Sequence, residues 1–173
     1  MKKSISFTIL ITCMCYFSSA QENDYLSKVQ TLDSTIETLY AVISGEAGEK
    51  RDWDLFRYLF ITDAKLIPTV TSPEGKVSYR AMTPDGYVES SGKWLETNGF
   101  FEKETNRVTE SYGSLTHIFS SYDSFRSESD EKSFARGINS IQLMNDGERW
   151  WIVNIYWLAE SEKNPMPDKY LPK

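Results

Sequence analysis

His117 is the only histidine in the 173-residue chain. A lone imidazole titrating near neutrality can serve as a general acid or base. Being single, it excludes histidine pairs and histidine-rich metal sites, and the ordinary role of a strand histidine, hydrogen-bonded within the core or at a strand end, stands beside the catalytic one. Asp54, Arg57 and Asp63 cluster around a predicted short helix. Asp52 and Asp54 also suit the cap and first turn of that helix, where carboxylates complement its dipole. The acidic runs at Glu102 to Glu104 and Glu128 to Glu131 read as solvated strand and loop charges. The chain contains no phosphate-cradling glycine loop, nucleophile elbow or zinc-type histidine spacing. Ser127 to Ser133 lacks the turn glycine of a calcium loop. No metal and no cofactor are expected.

The elements that must position His117 are three amphipathic strands in the last third of the chain, starting at Ser114, Ala135 and Arg149. Asp146-Gly147 between two of them is a strong hairpin signal, and a two-residue loop there pairs Asn145 with Glu148. That register sets Leu143 opposite Trp150, Ile141 opposite Ile152, Asn139 opposite Asn154 and Gly137 opposite Tyr156. The looser connection before Ala135 places His117 by Leu143 and Ser121 by Asn139. Alternation of side chains then puts His117, Phe119, Asp123, Asn139, Ile141, Trp150, Ile152, Asn154 and Tyr156 on one surface. Ile118, Tyr122, Arg136, Gln142, Trp151, Ile155 and Trp157 take the other.

Upstream, Ser34 with Glu37 forms a capping box, and Leu32, Ile36, Leu39, Tyr40 and Ile43 recur at helical spacing. Asp52 caps a short second helix carrying Trp53, Phe56, Leu59 and Phe60. Ala64 to Val70 reads as a strand that Pro68 confines to an edge, with Val77 to Met82 returning beside it. Thr83-Pro84 starts a third helix that runs to Gly99 and is weakened at Gly92. Phe100 to Tyr112 is a long strand turned at Gly113. Helices followed by mostly antiparallel strands predict an α+β domain with its helices on one side of a curved sheet.

Lys2-Lys3, the apolar run Ile5 to Phe17 and the small-residue site Ser18-Ser19-Ala20 predict a signal peptide over 1–20, cleaved after Ala20. Two other readings stay open: lipid anchoring at Cys13 or Cys15, and an uncleaved anchor. A polar leader over 21–32, a single domain over 33–160 and a tail over 161–173 follow. The export reading places the protein in the periplasm or outside the cell. Both cysteines lie in the signal, so the mature chain offers no thiol nucleophile and no disulfide. Losing Lys2 and Lys3 takes the formal charge from −6 to −8, which argues against nucleic acid and anionic membranes as partners. All five tryptophans lie in the mature part and argue against disorder.

From Thr35 to Glu160 the chain resembles the nuclear transport factor 2-like superfamily. The likeness rests on its helix, helix, hairpin, helix and sheet order, on Gly-Ile-Asn-Ser-Ile-Gln-Leu, and on Asn-Asp-Gly-Glu-Arg-Trp-Trp-Ile-Val. It resembles the SnoaL-like and ketosteroid isomerase-like members, and implies a cone-shaped domain with a pocket between helices and sheet. That scaffold hosts isomerases, dehydratases, epoxide hydrolases and binding modules, so the resemblance implies no single activity. It also implies that Trp150, Ile152, Asn154 and Tyr156 point inward. An epoxide hydrolase-like Asp-Arg-Asp set would draw on Asp54, Arg57 and Asp63. Ketosteroid isomerase-like catalysis would need a buried carboxylate, with Tyr40 or Tyr156 as oxyanion donor.

The expectation is an exported domain that binds a small, partly apolar ligand in its cone, with no defined activity. Phe119, Ile141, Trp150 and Ile152 would form the walls, and His117, Asn139, Asn154, Tyr156 and Tyr40 the polar contacts. A lyase, isomerase or hydrolase using His117 or an Asp near Asp54 as base is one alternative. A structural or partner-binding dimer with a self-filled cone is another. Because both sheet faces are apolar, a homodimer is expected through the face carrying Tyr122, Arg136, Trp151 and Trp157. The extended tail from Pro165 to Pro172 is the competing cover.

Overall fold

The computed structural model describes residues 24–172; the segment expected to be a signal peptide, with Cys13 and Cys15, lies outside them. Helix α1 (Leu32–Ile43) starts one cap earlier than its sequence suggests. Thr31 is extended, and its hydroxyl accepts from the Ser34 amide at 3.0 Å while the Ser34 hydroxyl accepts from the Thr31 amide at 3.2 Å. Glu37 is therefore a mid-helix residue and not a capping partner. The packed domain also reaches further back than residue 33. Tyr25 and Val29 are buried, and the Val29 carbonyl accepts from the Trp150 amide at 2.8 Å.

Asp52 caps α2 (Trp53–Tyr58), accepting from the Leu55 amide as the sequence predicts. Strand β1 (Phe60–Thr71) follows, with the short β2 (Val77–Tyr79) beside its far end. Thr83 and Pro84 open α3 (Pro84–Tyr87), which passes through a π-helical turn (Val88–Gly92) into α4 (Lys93–Asn98). Gly92 sits in that turn because Trp53 packs against it, 3.2 Å from where a Cβ would stand. Strands β3 (Phe101–Tyr112), β4 (Leu115–Phe125), β5 (Ala135–Asn145) and β6 (Trp150–Ala159) complete the domain.

The six strands form one sheet in the order β2-β1-β6-β5-β4-β3, antiparallel except for β1 beside β6. Pro68 is therefore not on an edge strand. It is tolerated because β2 ends at Tyr79, leaving only the Arg80 amide to donate to its carbonyl at 3.2 Å. The helices cover one face of the sheet, and the core lies between them: Ile36, Phe56, Leu59, Ile118, Ile141 and Ile152 are almost fully buried.

Which residues share that face differs from the sequence expectation. Asn145 pairs with Trp150, not Glu148, so the hairpin loop holds four residues. The Asp146 carboxylate accepts from the amides of Glu148 and Arg149 and from the Trp151 indole, which stretches the loop by two. Past Leu143 opposite Ile152 the register shifts again, leaving Val153 unpaired and setting Gln142 opposite Asn154. The bulge rotates the rest of β6 by one position. Between β4 and β5, His117 pairs with Gln142 and Ser120 with Asn139. The inner face consequently carries Ile118, Ser120, Tyr122 and Ser124 with Asn139, Ile141, Ile152, Ile155 and Trp157. His117, Phe119, Asp123, Asn154 and Tyr156 face away from the helices.

Tyr122 and Trp157 point into the domain, so they cannot anchor a dimer through the outer face. Gly137 is what admits Tyr122: a Cβ there would stand 2.7 Å from the Tyr122 hydroxyl and 2.4 Å from the Leu158 carbonyl. Trp151 and Arg136 do lie outward, Trp151 bonded to Asp146 and Arg136 ion-paired with Glu160. The tail straps part of the same face. Tyr170 stacks on Phe119 at 5.3 Å, and its carbonyl accepts from the Ser121 hydroxyl at 2.7 Å.

Candidate functional site

A cavity of about 260 Å³ opens between the inner face and the helices. Its walls are aromatic: Phe56 from α2, Tyr87 and Trp94 from the α3 to α4 segment, Phe100 before β3, and Trp157 from β6. Phe56 stacks on Tyr87 at 5.3 Å, and Tyr87 meets Trp157 edge-on at 6.5 Å, so the walls brace one another. The polar part of the lining is a compact group formed by Tyr40, Glu102 and Asn139, with Ser91 contributed by the π-helical turn.

Glu102 is the chemically distinctive member. Its Oε1 accepts from the Asn139 amide at 3.1 Å, and its Oε2 accepts from the Ser124 hydroxyl at 3.2 Å. No lysine or arginine pairs with it among the described residues. Removal from water outweighs those two hydrogen bonds and pushes its carboxyl up to about 7. It can therefore exist in either protonation state near neutrality, donating a proton or accepting one.

The neighbouring hydrogen bonds have a defined direction. The Asn139 amide nitrogen also donates to the Tyr40 hydroxyl at 3.1 Å, and Tyr40 lies 2.7 Å from Ser120. Ser120 donates to Glu104, which Arg107 holds at 2.6 and 2.9 Å while reaching Asp33 at 2.5 Å. With Ser120 committed to Glu104, the Tyr40 proton points to Ser120 and away from the cavity. Tyr40 is a bracing group and not an oxyanion donor. Burial first, then the Glu102 charge, raises the phenols of Tyr40, Tyr87 and Tyr122, so all three stay neutral.

The expected site residues separate. Tyr40 and Asn139 line the cavity, and Ile141 and Ile152 are core residues on its face. Trp150 packs against the core at the far end of β6. His117, Phe119, Asn154 and Tyr156 are on the opposite face, with His117 Nε2 2.9 Å from the Ser140 hydroxyl. Asp54, Arg57 and Asp63 do not converge on the cavity: Arg57 pairs with Asp54 at 3.0 Å and Asp85 at 2.6 Å on the surface. Sequence reasoning missed Glu102 and Glu104, taking them for solvated charges. Their signal was the two-residue spacing from Phe100, which puts all three on one side of the strand.

No protein-family model and no curated protein matches this sequence. Solved structures do match in shape. A protein of unknown function with a cystatin-like fold from Nostoc punctiforme superposes with a TM-score of 0.56 at 10% identity, over 76% of this chain and 90% of that one. A nuclear transport factor 2-like protein of unknown function from Pseudomonas putida gives 0.56 at 12% identity, over 79% and 92%. A nuclear transport factor 2 superfamily protein from Salmonella enterica gives 0.53 at 13% identity, over 85% and 95%. The helices on one face of a six-stranded, mostly antiparallel sheet, and the match over nearly the full length of these proteins, identify the chain's architecture as the α+β nuclear transport factor 2-like, or cystatin-like, fold.

Proposed function

We propose that this domain binds a small, partly apolar ligand in the cavity between its helices and sheet. The observation that carries this reading is Glu102: a carboxylate without a countercharge among the described residues, set among aromatic walls in a space the domain's side chains do not fill. A cone filled by its own residues would not leave this volume. The test is native mass spectrometry of the purified protein under gentle and then denaturing conditions, beside a Ser91→Trp variant that blocks the cavity. A small molecule released on unfolding of the wild type, and missing from the variant, is the expected result. The reading fails if wild type and variant bind a broad fragment library alike.

The titration range of Glu102 favours a second reading, a lyase, isomerase or hydrolase in which Glu102 moves the proton. His117 and Asp54 face elsewhere, so a base in this cavity would be Glu102. Turnover would then rise sigmoidally with pH about a midpoint near 7 and vanish in Glu102→Gln.

Export and self-association complete the proposal. Export is supported by Lys2-Lys3, the apolar run and the Ala20 site, and amino-terminal sequencing of the secreted protein should begin at Gln21. A homodimer is supported by the exposed Val108, Leu115 and Met144 on the outer face beyond the tail. Sedimentation as a monomer at micromolar concentration would remove it.

A further inference from the structure

The chemical class of the ligand follows from what the cavity lacks. Among the described residues, Glu102 receives two neutral hydrogen bonds and no cation. The nearest arginine in the same network, Arg107, is fully engaged by Glu104 and Asp33 and sits behind Tyr40 and Ser120. When ionised, a carboxylate desolvated in this way costs folding free energy unless something neutralises it. The side chains around it are suited to one kind of neutralising partner. Tyr87, Trp94, Phe56 and Trp157 offer aromatic surface, and aromatic faces attract cations through their quadrupoles.

We infer that the cavity is a site for an organic ammonium: a small amine whose charged nitrogen pairs with Glu102 and whose apolar body lies among the aromatic walls. This inference rests on the cavity being a ligand site and names what that ligand carries.

Three competing occupants fit less well. A carboxylate ligand would meet the charge of Glu102 head-on, and the formal charge of −6 on the whole chain disfavours its approach. A hard metal ion needs several oxygen ligands, and no group of three or more acidic, histidine or cysteine side chains able to hold a metal occurs among the described residues. A neutral apolar molecule would fill the walls but leave Glu102 unpaired. The volume, about 260 Å³, lies just below the ~300 Å³ where small-molecule pockets begin and so suits a compact amine.

The groups facing Glu102 make the pairing pH-dependent in one direction. Tyr40 from α1, Tyr87 from α3 and Tyr122 from β4 are all neutral, and Glu104 behind them is tied to Arg107. Glu102 is thus the cavity group that changes charge as pH falls through about 7, while an aliphatic amine stays protonated throughout. Preference for the amine belongs above that pH and disappears below it.

The test compares two probes of equal shape, 2-phenylethylamine and 2-phenylethanol, by calorimetry and by fluorescence of the cavity tryptophans in the purified protein. Near pH 8 the amine should bind about tenfold more tightly than the alcohol. The ratio should fall towards one near pH 5, and should be near one at both pH values in Glu102→Gln. If that variant does not fold, as judged by circular dichroism, the wild-type pH series alone decides. Equal binding of the two probes near pH 8, or tighter binding of the alcohol, overturns the amine assignment and leaves the cavity a ligand site. Failure of both probes at millimolar concentration also overturns it, and the mass-spectrometric comparison with Ser91→Trp then judges the wider reading independently.

Discussion

The side-chain amide of Asn139 bridges Glu102 and Tyr40, donating one hydrogen to each at 3.1 Å. The bridge joins the cavity carboxylate to the network ending at Arg107, and its hydrogen bond is the strongest influence lowering the Glu102 pKa. Replacing Asn139 by Leu, close in size, leaves the carboxylate supported by Ser124 alone. The midpoint of Glu102 should rise further above 7, and stability should drop by about 1–3 kcal/mol through the hydrogen bonds that Tyr40 and Glu102 lose. Carbon-13 NMR titration of the Glu102 carboxyl reads the first effect and urea denaturation the second. An unchanged midpoint would show that Asn139 does not tune the site.

Glu102 itself should limit stability at neutral and alkaline pH. Its folded pKa of about 7 lies above the ordinary 4.5, so the folded protein holds this proton more tightly than the unfolded chain. The resulting stabilisation is complete below about pH 4.5 and is lost as pH rises through 7, amounting to on the order of 3 kcal/mol. Gln cannot ionise. Glu102→Gln should therefore be more stable than wild type near pH 8, with the gap closing near pH 4.5. Urea melts at the two pH values check this, and a gap of equal size at both contradicts it.

Helix placement was legible because it rests on local chemistry: Asp52 and Thr83-Pro84 each cap the helix their residue types predict. The strands and the Asp146-Gly147 hairpin were legible for the same reason. The register was not, because it depends on side chains reaching across the turn. Asp146 gathers two amides and the Trp151 indole and lengthens the loop, and the bulge at Val153 carries neither glycine nor proline to announce it. A slip of one residue moves every following side chain to the other face. That is why Asn154 and Tyr156 exchange places with Ile155 and Trp157; a separate one-residue slip between β4 and β5, which sets His117 opposite Gln142 and not Leu143, turns His117 away from the cavity. Asn139 and Tyr40 were found by reasoning that also proposed residues on the wrong face. Glu102 was overlooked because a glutamate between Phe101 and Lys103 looks solvated until β3 is seen to bury that edge.

Arg149 anchors the end of the same turn. It is 4% exposed, lies 3.9 Å from the Tyr58 ring and 3.6 Å from the Trp151 ring, and donates from Nη2 to the Tyr58 carbonyl at 2.5 Å. A planar guanidinium can lie between two rings and still donate at its edge, which an ammonium cannot. Arg149→Lys keeps the charge and should still cost about 1–2 kcal/mol in urea denaturation. A loss no larger than that of a surface Lys substitution would mean that the stacking contributes nothing.

The tail is held by few contacts, which makes its attachment separable from folding. Tyr170 stacks on Phe119 with ring planes 18° apart, its carbonyl accepts from Ser121, and the Met166 amide donates to Glu160 at 2.8 Å. An aromatic pair of this kind contributes about 0.5–1.5 kcal/mol beyond its buried area. Tyr170→Ala should therefore release residues 161–172 while lowering global stability by only about 1–2 kcal/mol. Hydrogen exchange would show faster exchange confined to that segment. The variant also bares Phe119, Ile138 and Tyr156, enlarging the apolar outer face that the proposed dimer would use. If the tail competes with a second copy for that face, the sedimentation coefficient rises in the variant. A coefficient unchanged while the tail exchanges freely would mean that the tail does not limit self-association.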